Sequence, residues 1–126
     1  MSNKLTLMDL QQFTGTEQYH RWSPLFKNYA ITDGVKYMCD KANAYWLIDA
    51  IASYYGDVIK DPMLADMQFW TLKVNPDKSA VLTCERDTDD VAITQQLPYT
   101  DFPLPEIKLW VARGDEGYVI YLPSEH

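Results

Sequence analysis

At Met67 the spacing of apolar residues changes from helical to alternating, and no other feature of this sequence constrains the fold as strongly. Before Met67, apolar residues recur three and four positions apart, as on one face of a helix. After it they recur every second residue, in short runs separated by turn-forming residues. Helices first and hairpin-linked strands afterwards read as α+β, because a parallel sheet would need helices interleaved with its strands.

In the first half, residues 5–13 predict a short helix with Leu7, Leu10 and Phe13 near one face and Gly15 as its stop. Residues 16–32 carry Tyr19, Trp22, Phe26 and Tyr29 around Ser23-Pro24 and read as an irregular connector pinned by its aromatics. Asp33 then suits a helix N-cap, and residues 34–55 predict one long helix. Its wet side holds Lys36, Asp40 and Asn43, and Met38, Ala42, Tyr45, Ile48 and Ala52 lie opposite. Gly56 closes it, and Asp61-Pro62 starts a short helical turn.

In the second half, strands are expected at residues 67–74, 80–85, 91–97, 107–112 and 118–122. Asn75-Pro76-Asp77-Lys78, residues 86–90 and residues 113–117 supply the turns. Residues 98–105 contain three prolines and predict a loop. The expected architecture is a single two-layer α+β domain spanning residues 1–126. Its antiparallel sheet of about five strands packs on one long helix plus a shorter N-terminal helix. Trp70, Leu72, Val74, Ile107, Leu109, Val111, Tyr118, Ile120 and Leu122 should face the long helix. Phe69, Trp110 and Tyr121 fall on the other face, which makes it more aromatic than a solvated face requires.

A chain of 126 residues, 47% apolar, can bury a core without disulfide or metal staples. Its 18 acidic against 11 basic residues argue against direct nucleic-acid binding, which needs clustered Lys and Arg. The same acidity suits competition with nucleic acid for a basic groove. Cys39 and Cys84 form no C-x-x-C pair and read as buried, reduced thiols. No signal peptide is evident at residues 1–4, and no apolar run approaches the roughly 20 residues of a membrane span. The expectation is a cytoplasmic protein with no membrane association and no cofactor.

Four ordered segments resemble a known family: Phe13-Thr14-Gly15-Thr16-Glu17, Thr32-Asp33-Gly34-Val35-Lys36-Tyr37, Ala44-Tyr45-Trp46-Leu47-Ile48-Asp49-Ala50-Ile51 and Tyr99-Thr100-Asp101-Phe102-Pro103-Leu104. They are similar to those of a family of small bacterial, phage and plasmid proteins without an assigned activity. The likeness runs over nearly the whole chain, with Ile31 standing where the family pattern has Tyr. It implies no catalytic residues. Its association with mobile elements implies a host-takeover or anti-defence role.

No G-x-S-x-G, P-loop or dinucleotide motif is present, so no catalytic residue is assigned. His20, His126, Cys39 and Cys84 are scattered, so no metal site is assigned. A Cys39–His20 nucleophile pair is disfavoured, because a helix-interior thiol is inert without a cation or helix N-terminus beside it.

Asp49 is the odd residue, falling within the apolar arc of the long helix. It is either a binding or acid–base group in a pocket with His20 or Tyr45, or a structural hub accepting from a Tyr hydroxyl, a Trp indole or backbone N–H groups. Tyr99, Asp101 and Phe102 lie on a proline-framed loop of the kind that carries binding. Glu85, Asp87, Asp89 and Asp90 form an acidic tip, which mimics phosphate or simply solvates a hairpin. Phe69, Trp110 and Tyr121 either offer a partner surface or are covered by the N-terminal helix.

The functional expectation is a non-enzymatic protein-binding protein that inhibits a host defence complex, in the manner of an anti-CRISPR. The alternatives are a small enzyme or ligand binder around Asp49, and a structural or oligomeric subunit.

Overall fold

The period-two runs form strands where they fall, and two further strands come from the aromatic connector. The computed structural model describes residues 5–16, 18–115 and 117–126. Residues 1–4, Glu17 of the first resemblance segment and Glu116 of the last turn lie outside the described residues. The described residues form β1 (Tyr19–His20), β2 (Tyr29–Thr32), β3 (Met67–Val74), β4 (Ala80–Asp87), β5 (Asp90–Leu97), β6 (Glu106–Gly114) and β7 (Gly117–Tyr121). They pair into one sheet in the order β1-β2-β7-β6-β3-β4-β5. β2 runs parallel to β7, with Tyr29 opposite Tyr118 and Ile31 opposite Ile120. The other neighbouring pairs are antiparallel.

The expected five-stranded antiparallel sheet is therefore corrected to a seven-stranded mixed one. The five strands read from alternation are β3 to β7. The connector at residues 16–32 supplies β1, which pairs with β2, and β2, which pairs with β7 almost ninety residues away. Entry to this parallel pair depends on Gly117. It sits at φ 130°, and a Cβ there would lie 2.4 Å from the Asn28 carbonyl oxygen. That carbonyl accepts from the Tyr118 N–H at 2.7 Å.

The long helix is also corrected. Residues 33–58 form three short helices: α2 (Asp33–Ala42), α3 (Tyr45–Ala52) and α4 (Tyr55–Val58), following α1 (Leu7–Gln11). Asn43 breaks the run by taking the left-handed conformation at φ 53°. The Ala44 N–H then donates back to the Cys39 carbonyl at 3.0 Å and closes α2. Asn tolerates this conformation better than other non-glycine residues, which is why the helical spacing continues undisturbed on both sides of it. The cap of α2 is Thr32, not Asp33: its hydroxyl accepts from the Val35 N–H, and Asp33 is the first helical residue.

Each of α1 to α4 contributes buried residues to one core shared with the sheet. Val35, Met38, Leu47, Ile48 and Ile51 of α2 and α3 are buried with Ile31, Trp70, Leu72, Leu82, Leu109, Val111 and Ile120 of the sheet. Each such side chain contributes roughly 1.5–3 kcal/mol by leaving water. Gln68 is fully buried among them. It is satisfied by donating to the Leu64 carbonyl at 3.0 Å and accepting from the Trp70 indole at 2.9 Å. α1 joins the helix side, where Leu10 is buried and the Phe13 ring lies 5.3 Å from that of Tyr37. It does not cover the Phe69, Trp110 and Tyr121 face. Among the described residues no helix is long and apolar enough to cross a membrane.

Candidate functional site

The sheet's register brings the three outward aromatics into one row. Phe69 of β3 is opposite Trp110 of β6, and Trp110 is opposite Tyr121 of β7. Their side chains therefore stand on one pleat level across three adjacent strands. Phe69 meets Trp110 edge to face at 5.3 Å between ring centroids, and Trp110 meets Tyr121 at 6.2 Å. Edge-to-face rings attract through their quadrupoles, which fixes the row's geometry.

A 3₁₀ turn at Pro123–Glu125 folds His126 back over the row, where its ring meets that of Trp110 edge-on at 5.3 Å. Its ring stacks on Tyr121, and the Tyr121 hydroxyl and His126 Nδ1 are 2.9 Å apart. Tyr121 is thereby buried, while Phe69 and Trp110 keep part of their surface in water. Nothing in the local sequence around His126 signals this role.

Phe69 is also opposite Glu85 of β4, so the aromatic row continues directly into the acidic tip. The tip is a tight turn at Thr88-Asp89, with Asp89 at φ 61°. Part of its charge is spent internally: Glu85 accepts from the Asp89 N–H at 3.1 Å, and Asp90 accepts from Arg86 at 3.0 Å. Arg86 also holds Asp61 at 2.6 Å, which anchors the tip to the segment after α4. Asp87 accepts from the Thr88 N–H and, like Asp89, is exposed.

On the helix side, His20, Tyr45 and Asp49 line one open pocket of about 370 Å3, together with Trp22 and Lys36. They do not bond to one another. Asp49, half-buried on α3, accepts from the Trp22 indole at 2.7 Å. His20 Nε2 pairs with Asp33 Oδ1 at 2.8 Å. The Tyr45 hydroxyl donates to Asp40 at 2.6 Å, and Asp40 also holds Lys36 at 2.9 Å. The Lys36 ammonium keeps Asp40 below the ordinary carboxylate range, whereas burial and the bond to Asp40 push Tyr45 up.

Sequence reasoning missed the residues around this pocket that organise the start of α2. The Asp33 N–H donates to the Thr16 hydroxyl at 2.9 Å. Glu125 receives the Thr32 hydroxyl at 2.6 Å and the Gly34 N–H at 3.2 Å, placing a carboxylate at the positive end of the helix. Three of the four resemblance segments thus meet around α2. The fourth reaches its other end: Asp101 and Phe102 share an open pocket with Lys41 and Ala42. Phe102 is buried and anchors that loop, Asp101 is exposed, and Tyr99 is exposed beside Lys78.

Cys39 and Cys84 are buried, and burial pushes both thiols up to about 12. Among the described residues no three His, Cys, Asp or Glu side chains are grouped to hold a metal ion.

No curated protein and no solved structure matches the chain. A family model does, over residues 4–126, and the chain belongs to that family, the family of unknown function DUF6876.

Proposed function

We propose that the protein is a non-enzymatic protein-binding module whose partner seats on the outer face of the sheet, centred on Trp110. The observation that carries this is the ordered row of Phe69, Trp110 and Tyr121 on the face that the helices leave uncovered. Rigid aromatics in a fixed arrangement bind with little loss of side-chain entropy, and they dominate the energetics of many interfaces.

The contiguity of Phe69 with Glu85 and the tip beyond it favours a partner surface that is apolar at its centre and basic at one margin. The net charge of −7 works in the same direction by steering basic partners inward. The finer reading is a phage- or plasmid-borne inhibitor whose acidic tip enters the basic groove of a host defence complex. It rests on the family resemblance together with this charge distribution.

A small-ligand or enzymatic reading has one observation in its favour, the convergence of His20, Tyr45 and Asp49 on one pocket. It is secondary, because each of the three already bonds a different structural partner.

The test is retention of proteins from a lysate of cells that carry the gene, with immobilised wild type beside Trp110→Thr. A β-branched polar residue keeps the strand and removes the ring. A protein held by wild type and lost by the variant supports the proposal. Identical retention by the two would contradict it.

A further inference from the structure

The sheet ends differently at its two edges. β1 is two residues long, whereas β5 runs eight residues from Asp90 to Leu97. Among the described residues no strand pairs with the free side of β5. Natural edge strands are blunted by shortness, Lys, Pro or bulges. β5 contains no Lys, Arg or Pro. Its pairing with β4 is irregular only near the tip, at two steps: past Ala92, from Glu85 opposite Val91 to Cys84 opposite Ile93, and past Arg86, to Asp87 opposite Asp90. From Ile93 to Leu97 the ladder is regular.

We infer that β5 pairs antiparallel with β5 of a second copy, about a two-fold axis at Gln95, joining two sheets edge to edge. Such an axis is perpendicular to the sheet, so residues placed opposite one another must share a face. Centring on Gln95 satisfies this with matched chemistry. On the helix side Ile93 of one copy meets Leu97 of the other, both half-buried in the single chain. On the outer side Thr94 meets Gln96. The antiparallel sense also sends the two acidic tips to opposite ends of the junction, where a parallel one would set them side by side. Both Trp110 faces then look the same way.

Sedimentation equilibrium of the full chain, from micromolar to millimolar concentration, tests this. The mass should rise from 14.6 kDa toward twice that value. Thr94→Lys with Gln96→Lys, both on the outer side of the edge, should raise the dissociation constant at least about tenfold. Independently, Gln95→Cys should form a disulfide with itself across the axis, since the native thiols are buried. The Gln95→Cys result stands alone if the lysine variant does not fold. A mass of 14.6 kDa throughout, which leaves β5 free for another protein's strand, overturns the inference. So does a dimer that the lysines leave unweakened or that Gln95→Cys fails to cross-link. Because mass is read and not partner capture, the fate of the proposed function is separate.

Discussion

The Trp22 indole N–H donates to the Asp49 carboxylate at 2.7 Å, tying the segment between β1 and β2 to α3 across 27 residues of sequence. Trp22 in turn stacks on Phe26 and meets Tyr29 edge-on. One carboxylate therefore fixes the indole that packs on Phe26 and Tyr29. The bond gives this charged residue a partner within a largely apolar helix.

That role predicts a measurable coupling. Asp49→Ala and Trp22→Phe should each destabilise the fold, and the double variant should lose less than the sum. The coupling energy should be about 1–2 kcal/mol, the lower part of the range for a charged hydrogen bond because the pair is half-buried. Urea unfolding of the four proteins measures it. Strict additivity would mean that the bond contributes nothing.

Asn43 makes a second prediction. At φ 53° its backbone is left-handed, so Asn43→Gly should be neutral or slightly stabilising. Asn43→Ala should cost about 1 kcal/mol, read as a lower urea midpoint. An alanine variant as stable as wild type would show that the break between α2 and α3 is not set by this residue.

The break also explains what was legible in the sequence and what was not. Alternation located β3 to β7 and both faces of the sheet, because side-chain period and register are the same information in a strand. β2 was hidden because Tyr29-Ala30-Ile31 is too short to show a period and its partner, β7, is far away in sequence. The helix break was hidden because Asn43 sat on the wet side, where any polar residue fits. Extending one helical phase through it put Asp49 deeper in the apolar arc than it lies. The pocket grouping of Asp49 with His20 and Tyr45 was legible, but the bonds to Trp22, Asp33 and Asp40 depend on the fold.

Tyr29 predicts a gain. Its hydroxyl is buried and, among the described residues, has no hydrogen-bond partner; burial also pushes its ionisation up. Tyr29→Phe removes a desolvated polar group while keeping the ring contacts with Tyr55 and Tyr118. Stability should rise by up to about 1 kcal/mol. A loss of that size would reveal a partner for the hydroxyl.

Acid should destabilise the fold through three carboxylates. Asp40, Asp61 and Asp77 lie below their ordinary 3.8, held there first by Lys36, Arg86 and Ser79 respectively. A depressed folded value means that the stabilisation is complete above the ordinary range and is lost as pH falls through the folded value. Tm should therefore drop as pH is lowered below about 4, and Asp61→Asn should flatten part of that slope. Thermal melts across this range check both, and an identical slope in the variant would remove Asp61 from the account.

The most direct test of the central claim sets the two candidate sites against each other with one purified partner. Titration calorimetry should show Trp110→Thr weakening binding at least about tenfold, the scale of an interface anchor, with Asp49→Asn close to wild type. Weakening by Asp49→Asn, with Trp110→Thr unchanged, would move the function from the outer face to the pocket.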